Sequence, residues 1–164
     1  MTGHIALRPP RHPLPRRAIG YWTARGVAGA LPLVAGLAVA YGLAEGARPW
    51  LGPALVGVVV AAVAYAAVVP SWRHAVHRWE TTGEAVYAVS GWFVREWRVA
   101  PLSRVQTVDT VRGPLHRIFG LATVTVTTAS ANGPVTLEAL DTDVAAATAR
   151  ELTDIVRATR DDAT

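Results

Sequence analysis

Two apolar runs, residues 26–44 and 50–69, contain no Asp, Glu, Lys or Arg. At about 1.5 Å of rise per residue each makes a helix of roughly 28–30 Å, which matches a bilayer hydrocarbon core of about 30 Å. Only residues 45–49 separate them, and so short a connection brings the second helix back antiparallel beside the first. The pair reads as a transmembrane helical hairpin that leaves both chain ends on one side. Two other readings are weaker. Ala38-Val39-Ala40 resembles a leader-peptide cleavage site, but a secretory leader has a shorter apolar core and is not followed at once by a second run. A hairpin buried in a soluble protein needs more surrounding mass than the rest of this 164-residue chain supplies.

The remaining composition fits that frame. Hydrophobic residues make up 51% of the chain and charged residues 17%, and the apolar excess is concentrated in the first half, as membrane insertion requires. The net charge of +4 comes from arginine alone, since the sequence has no lysine. Much of it stands beside the apolar runs, so it reads as juxtamembrane charge and not as a nucleic-acid footprint. Cysteine is absent, which excludes disulfide scaffolds and Cys-ligated metals.

Residues 1–25 carry Arg8, Arg11, Arg16, Arg17 and Arg25 with no acidic residue, and Pro9, Pro10, Pro13 and Pro15 oppose regular structure. They read as a flexible basic arm. Residues 26–72 hold the hairpin and residues 73–164 form the remaining domain. Tyr21, Trp22, Trp50 and Trp72 flank the runs where headgroups would lie. The arm and Arg73, His74, His77 and Arg78 outweigh a loop that offers only Glu45 and Arg48, so the positive-inside rule places both termini in the cytoplasm. With no charged or strongly polar residue at membrane depth there is no candidate ion pathway or substrate site, and the hairpin reads as an anchor. Gly36 with Ala40, Ala38 with Gly42 and Gly57 with Ala61 are four apart, a spacing that suits close packing within the hairpin or a homo-oligomer. Pro32 and Pro53 stand near the start of their runs, where a lost backbone donor costs least.

After Trp79 the period changes to two. Residues 85–89 and 92–99 read as a hairpin about Ser90-Gly91, and residues 104–111 as a further strand ended by Gly113-Pro114. Residues 121–128 alternate Ala122, Val124 and Val126 with Thr123, Thr125 and Thr127, and Asn132-Gly133 is the favoured turn into Val135, Leu137 and Ala139. A final helix carries the stripe Val144, Thr148, Leu152, Ile155 and Val156, and Asp161-Asp162 reads as a frayed tail. The sum is an α+β membrane protein: a transmembrane hairpin followed by a small antiparallel β barrel or sandwich capped by a C-terminal helix.

The run Pro101-Leu102-Ser103-Arg104-Val105-Gln106-Thr107-Val108, followed by Arg117-Ile118-Phe119-Gly120-Leu121-Ala122, resembles the bacterial pleckstrin-homology-like (PH-like) family of the YdbS type. Within that motif the resemblance rests on Pro101, Leu102, Arg104, Val105, Gln106, Val108, Arg117, Phe119 and Gly120. It implies two packed sheets closed by the last helix beside paired membrane helices, and a binding scaffold that brings no catalytic motif.

No catalytic, cofactor or metal site is expected. His74 and His77 are three apart but lack a third ligand before Glu80. Ser103, Asp109 and His116 could be written as a triad, yet no nucleophile elbow accompanies them. Arg95, Arg98, Arg104, Arg112 and Arg117 are the candidate set, because a domain tethered to anionic headgroups gains from a positive surface. The partners expected are membrane lipid, or a membrane protein such as a multi-domain relative, and not nucleic acid.

Overall fold

The computed structural model describes residues 10–91, 93–129 and 133–161. Helix α1 spans Arg17–Leu43 and α2 spans Arg48–Val76, joined by a 3-10 turn at Glu45–Ala47. Arg48 closes the connection: its Nε donates to the Tyr41 carbonyl and its Nη2 to the Gly42 carbonyl, both at 3.2 Å. It thereby satisfies carbonyls that the end of α1 leaves without partners. At ~1.5 Å per residue the helices are about 40 Å and 43 Å long, more than a bilayer core of ~30 Å needs.

The surplus lies in the domain. Ala18, Tyr21 and Trp22 stand at helical spacing on one face of α1 and are buried in the domain core with Leu14. Strand β1, His12–Pro13, pairs with β2, Arg78–Thr81. The described part of the basic arm is therefore folded, because the stripe of Ala18, Tyr21 and Trp22 extends α1 back beyond the apolar run. For the same reason Tyr21 and Trp22 are core residues and not headgroup anchors, whereas Trp50 and Trp72 are exposed. With α1 beginning at Arg17, Pro32 falls in the helix interior, a position that membrane helices tolerate.

The two helices meet through tyrosines. A Cβ added at Gly26 would lie 2.7 Å from the Tyr65 ring, and one at Gly52 would lie 3.4 Å from that of Tyr41. Gly36, Gly42 and Gly57 face open space, so the small-residue pairs expected to close the hairpin point away from it. An apolar cleft of about 220 Å³ remains between the helices, lined by Val27, Leu31, Val34, Val59, Val63 and Ala66 among others.

Two antiparallel sheets follow, in the orders β1-β2-β3-β4 and β5-β6-β7, and they do not close into a barrel. Strand β3 is Ala85–Ser90, β4 Glu96–Pro101, β5 Val105–Val111, β6 Leu121–Thr128 and β7 Val135–Asp141. The β3–β4 tip is longer than a two-residue turn. Gly91 has φ 108° and packs on the Val94 carbonyl, so a side chain there has no room. Trp92 and Asn132, expected at strand and turn positions, lie outside the described residues, as do Arg8, Pro9 and Asp162. Two bulges reset the faces. Gln106 is the extra residue between Val105↔Thr128 and Thr107↔Thr127, and Glu138 with Ala139 opposes Thr123 alone. Ala139 takes a left-handed φ of 54° at that bulge.

Helix α3, Pro114–Phe119, ends on Gly120 at φ 65°, and Phe119 packs against Gly20 of α1. Helix α4, Thr142–Asp161, buries Ala145, Thr148 and Leu152 and partly buries Ala149, Ile155 and Val156. Val144, expected on that stripe, is 39% exposed, because the buried face follows Ala145 one position later. One core joins both sheets, α4 and the first turns of α1.

Candidate functional site

Several arginines without an ion pair among the described residues flank α1 and α2 where these join the domain. Strand β2 starts at Arg78, two residues after α2 ends. Its partner β3 comes back, with Val89 opposite Arg78, and Ser90 then pairs with Glu96 at the start of β4. The β3–β4 tip therefore lies beside the last turn of α2. Phe93 is 87% and Val94 67% exposed there. Ala75, Val76, Arg78, Val89, Arg95 and Trp97 share the lining of a cavity of about 110 Å³.

On the other side α3 lies against the first turns of α1 in the opposite direction. Gly120 approaches Arg17, Phe119 packs on Gly20, and the His116 ring is 4.5 Å from that of Tyr21. Arg112, just before α3, thus stands toward the same end as Arg25. Arg25, Arg78, Arg95 and Arg112 form no ion pair with any described residue.

Of the five arginines singled out from the sequence, the structure brings Arg95 and Arg112 to this end and separates the others. Arg98 is held by Glu96 at 3.1 Å and by the Pro134 carbonyl at 3.0 Å. Arg104 is exposed at the opposite end, in the 3-10 turn Leu102–Arg104 before β5. Arg117 is exposed on the last turn of α3. From the sequence Arg78 reads only as a topological charge, nine residues beyond the end of the second apolar run; the pairing of β2 with β3 is what brings it beside Arg95.

The remaining motif residues build corners. Leu102 and Val105 are buried, Val108 is partly buried, and Gln106 is the bulge. Pro101 closes β4, while Phe119 and Gly120 dock α3 on α1. The Gly120 carbonyl accepts from the Thr142 hydroxyl at 3.0 Å and so holds the start of α4.

Where the hairpin enters the domain a cation is clamped. Arg73 lies 3.0 Å from Glu138 and its guanidinium carbon is 4.7 Å from the Trp22 ring centroid. The Trp22 ring is in turn 5.1 Å from that of His77. His77 Nδ1 donates to the Arg73 carbonyl at 2.8 Å, and burial pushes its pKa below the ordinary histidine value, with the Arg73 charge adding to that and the Glu138 charge opposing it. His74 Nε2 is 2.9 Å from the Leu14 carbonyl. Both rings of this pair are thus committed to the fold, and no cluster of three metal-ligating side chains occurs among the described residues.

His116 accepts from the Gly113 N–H at 3.3 Å through Nδ1, which leaves Nε2–H to donate to Thr123 at 3.2 Å. Burial and then the Arg25 charge lower its pKa. Asp109 accepts from Thr107 at 3.2 Å. Ser103 stands beyond the far end of β5, roughly 20 Å of strand away from His116, so the three residues are not assembled.

A family model described as a bacterial PH domain matches residues 27–156. The transmembrane protein YdbS of Bacillus subtilis is 41% identical over 63 residues, which is 38% of this chain and 40% of that protein. The chain thus aligns with well under two thirds of that relative, and no solved structure matches significantly. The two apolar helices, the paired sheets with their C-terminal helix, and a family match covering most of the sequence lead to one assignment: this chain belongs to the bacterial PH domain family.

Proposed function

We propose that this protein is a non-catalytic binding module anchored in the inner membrane, which holds anionic lipid headgroups, or a membrane-protein partner, against the cytoplasmic face. The observation that carries this reading is that Arg25 and Arg112, beside α1, and Arg78 and Arg95, beside the last turn of α2, form no ion pair among the described residues and flank the two apolar helices where these join the domain. Each cation near an anionic leaflet contributes about 1 kcal/mol. Charge on the opposite end, such as Arg104, is separated from that surface by much of the domain and contributes less at a Debye length of ~8 Å.

The test is lipid retention by the full chain. The protein is reconstituted in nanodiscs of mixed phosphatidylcholine and phosphatidylglycerol, exchanged into detergent, and its retained lipid measured by mass spectrometry. Enrichment of phosphatidylglycerol over the input mixture, weakened by salt, supports the reading; retention in the input ratio refutes lipid recognition. The residue 73–164 fragment is unsuitable, because it lacks Leu14, Ala18, Tyr21 and Trp22 from the core.

A second reading, an oligomerising scaffold or accessory subunit, is favoured by the outward-facing Gly36, Gly42 and Gly57, since small residues let helices of different chains approach closely. Cross-linking of the full chain in its native membrane tests it: a discrete dimer or stoichiometric partner supports it, and monomer alone refutes it.

A further inference from the structure

We propose that Arg78 and Arg95, beside Trp97, form a binding site for the phosphate of an anionic phospholipid, and that the Phe93 and Val94 tip of the β3–β4 hairpin enters the same leaflet. The proposal rests on the functional reading above and assigns it a place.

Three observations converge. The cavity bounded by Arg78, Arg95 and Trp97 has a volume of about 110 Å³, several times the ~30 Å³ that one water molecule takes in the liquid, and so can hold a phosphate group. Neither arginine has an acidic partner among the described residues, so their charge is available to an anion, and guanidinium groups suit phosphate oxygens in a bidentate fashion. Ala75 and Val76 line the same cavity, which makes it continuous with the last turn of a helix that rises from the membrane.

That continuity identifies the occupant. The exposed pair Phe93 and Val94 extends from the edge of this cavity, and Trp97 is 41% exposed beside it. An apolar tip, an amphipathic aromatic ring and two cations in that order match the layers of a membrane interface: acyl chain, glycerol region, phosphate. The Arg95 charge next to Val94 then lies at headgroup level when the tip is inserted.

The absence of native cysteine allows a single-site probe. The full chain carrying Val94→Cys, labelled with an environment-sensitive NBD fluorophore, is placed in nanodiscs of phosphatidylcholine alone or with phosphatidylglycerol. A Ser103→Cys label at the opposite end of the domain is the aqueous reference. The expected result is blue-shifted, brighter emission at position 94 than at 103, with a further shift on adding phosphatidylglycerol.

Arg78→Gln and Arg95→Gln are each expected to raise the phosphatidylglycerol content for half of that further shift roughly fivefold, while R78K and R95K retain most of the response. An unchanged thermal unfolding profile shows that the variants remain folded. Emission at 94 as aqueous as that at 103 overturns the inserted tip. A phosphatidylglycerol response unaffected by the double Gln variant overturns the arginine site. Inorganic phosphate reproducing the response in phosphatidylcholine nanodiscs overturns the lipid as its source. If either part of the proposal fails while anionic lipid is still enriched, the site is wrong and the broader function stands; retention of lipid in the input ratio refutes lipid recognition itself.

Discussion

At the residue scale, the Arg73 guanidinium reaches Glu138 of β7 and the Trp22 ring of α1 from its place near the end of α2, so one cation ties three elements together. Replacing Glu138 by Gln removes the charge partner and leaves a partly buried cation over an aromatic face. We expect a loss of about 1–3 kcal/mol, read as a lower unfolding temperature in detergent. Ala139 is fully buried at a left-handed φ of 54°. Ala139→Val adds volume and a β-branch at a backbone angle that suits neither, so it should cost roughly 2–4 kcal/mol by the same measurement.

The two shifted histidines set a pH dependence. Burial lowers the pKa of both His77 and His116, so the unfolded chain binds more protons than the folded one and stability rises with pH. Their contribution is complete above the ordinary histidine value of about 6.5 and is lost as pH falls below it, through the lowered folded-state pKa values. Unfolding temperature followed downward from pH 8 should hold level and then fall below that value; His77→Gln, which keeps a donor for the Arg73 carbonyl, should make the fall shallower.

Among the elements, the helical hairpin divides its glycines by role. Gly26 meets the Tyr65 ring, whereas a side chain at Gly36 meets nothing within the protein. Gly26→Val should therefore destabilise the hairpin by about 1–3 kcal/mol, while Gly36→Val should leave it intact, with unfolding temperature as the readout for each. If the scaffold reading holds, the second change alone reduces cross-linking between chains.

Much of this level was legible in the sequence, and what was missed has definite causes. Charge-free runs marked the hairpin, and the alternation of Thr with Ala and Val marked β6. The first nine residues of α1 read as arm in the sequence because Arg17 and Arg25 interrupt the apolar pattern, although Ala18, Tyr21 and Trp22 stand at helical spacing. In α4 the valine at 144 is more apolar than the alanine at 145, yet Ala145 faces the core, because packing on the sheets sets the phase of the helix. The arginines could not be grouped from sequence, since extra residues at Gln106 and at Glu138 with Ala139 change which side chains share a face.

For the molecule as a whole, the consequence of β1 pairing with β2 is that the hairpin interrupts a sheet of the domain it anchors. The two apolar helices and the domain are then joined without a free linker at the junction. A chain begun at residue 73 loses strand β1 and the core residues Leu14, Ala18, Tyr21 and Trp22, and should show weak, non-cooperative unfolding when expressed alone.

In the proposed topology the hairpin holds this domain against the cytoplasmic leaflet. Single cysteines at Gly46 in the interhelical turn and at exposed Ser103 in the domain, introduced into the cysteine-free full chain, are treated in spheroplasts with a membrane-impermeant maleimide. Labelling at 46, with labelling at 103 only after the membrane is permeabilised, is the predicted result. Labelling at 103 in sealed spheroplasts, with 46 protected, would place the domain on the outer face and contradict it.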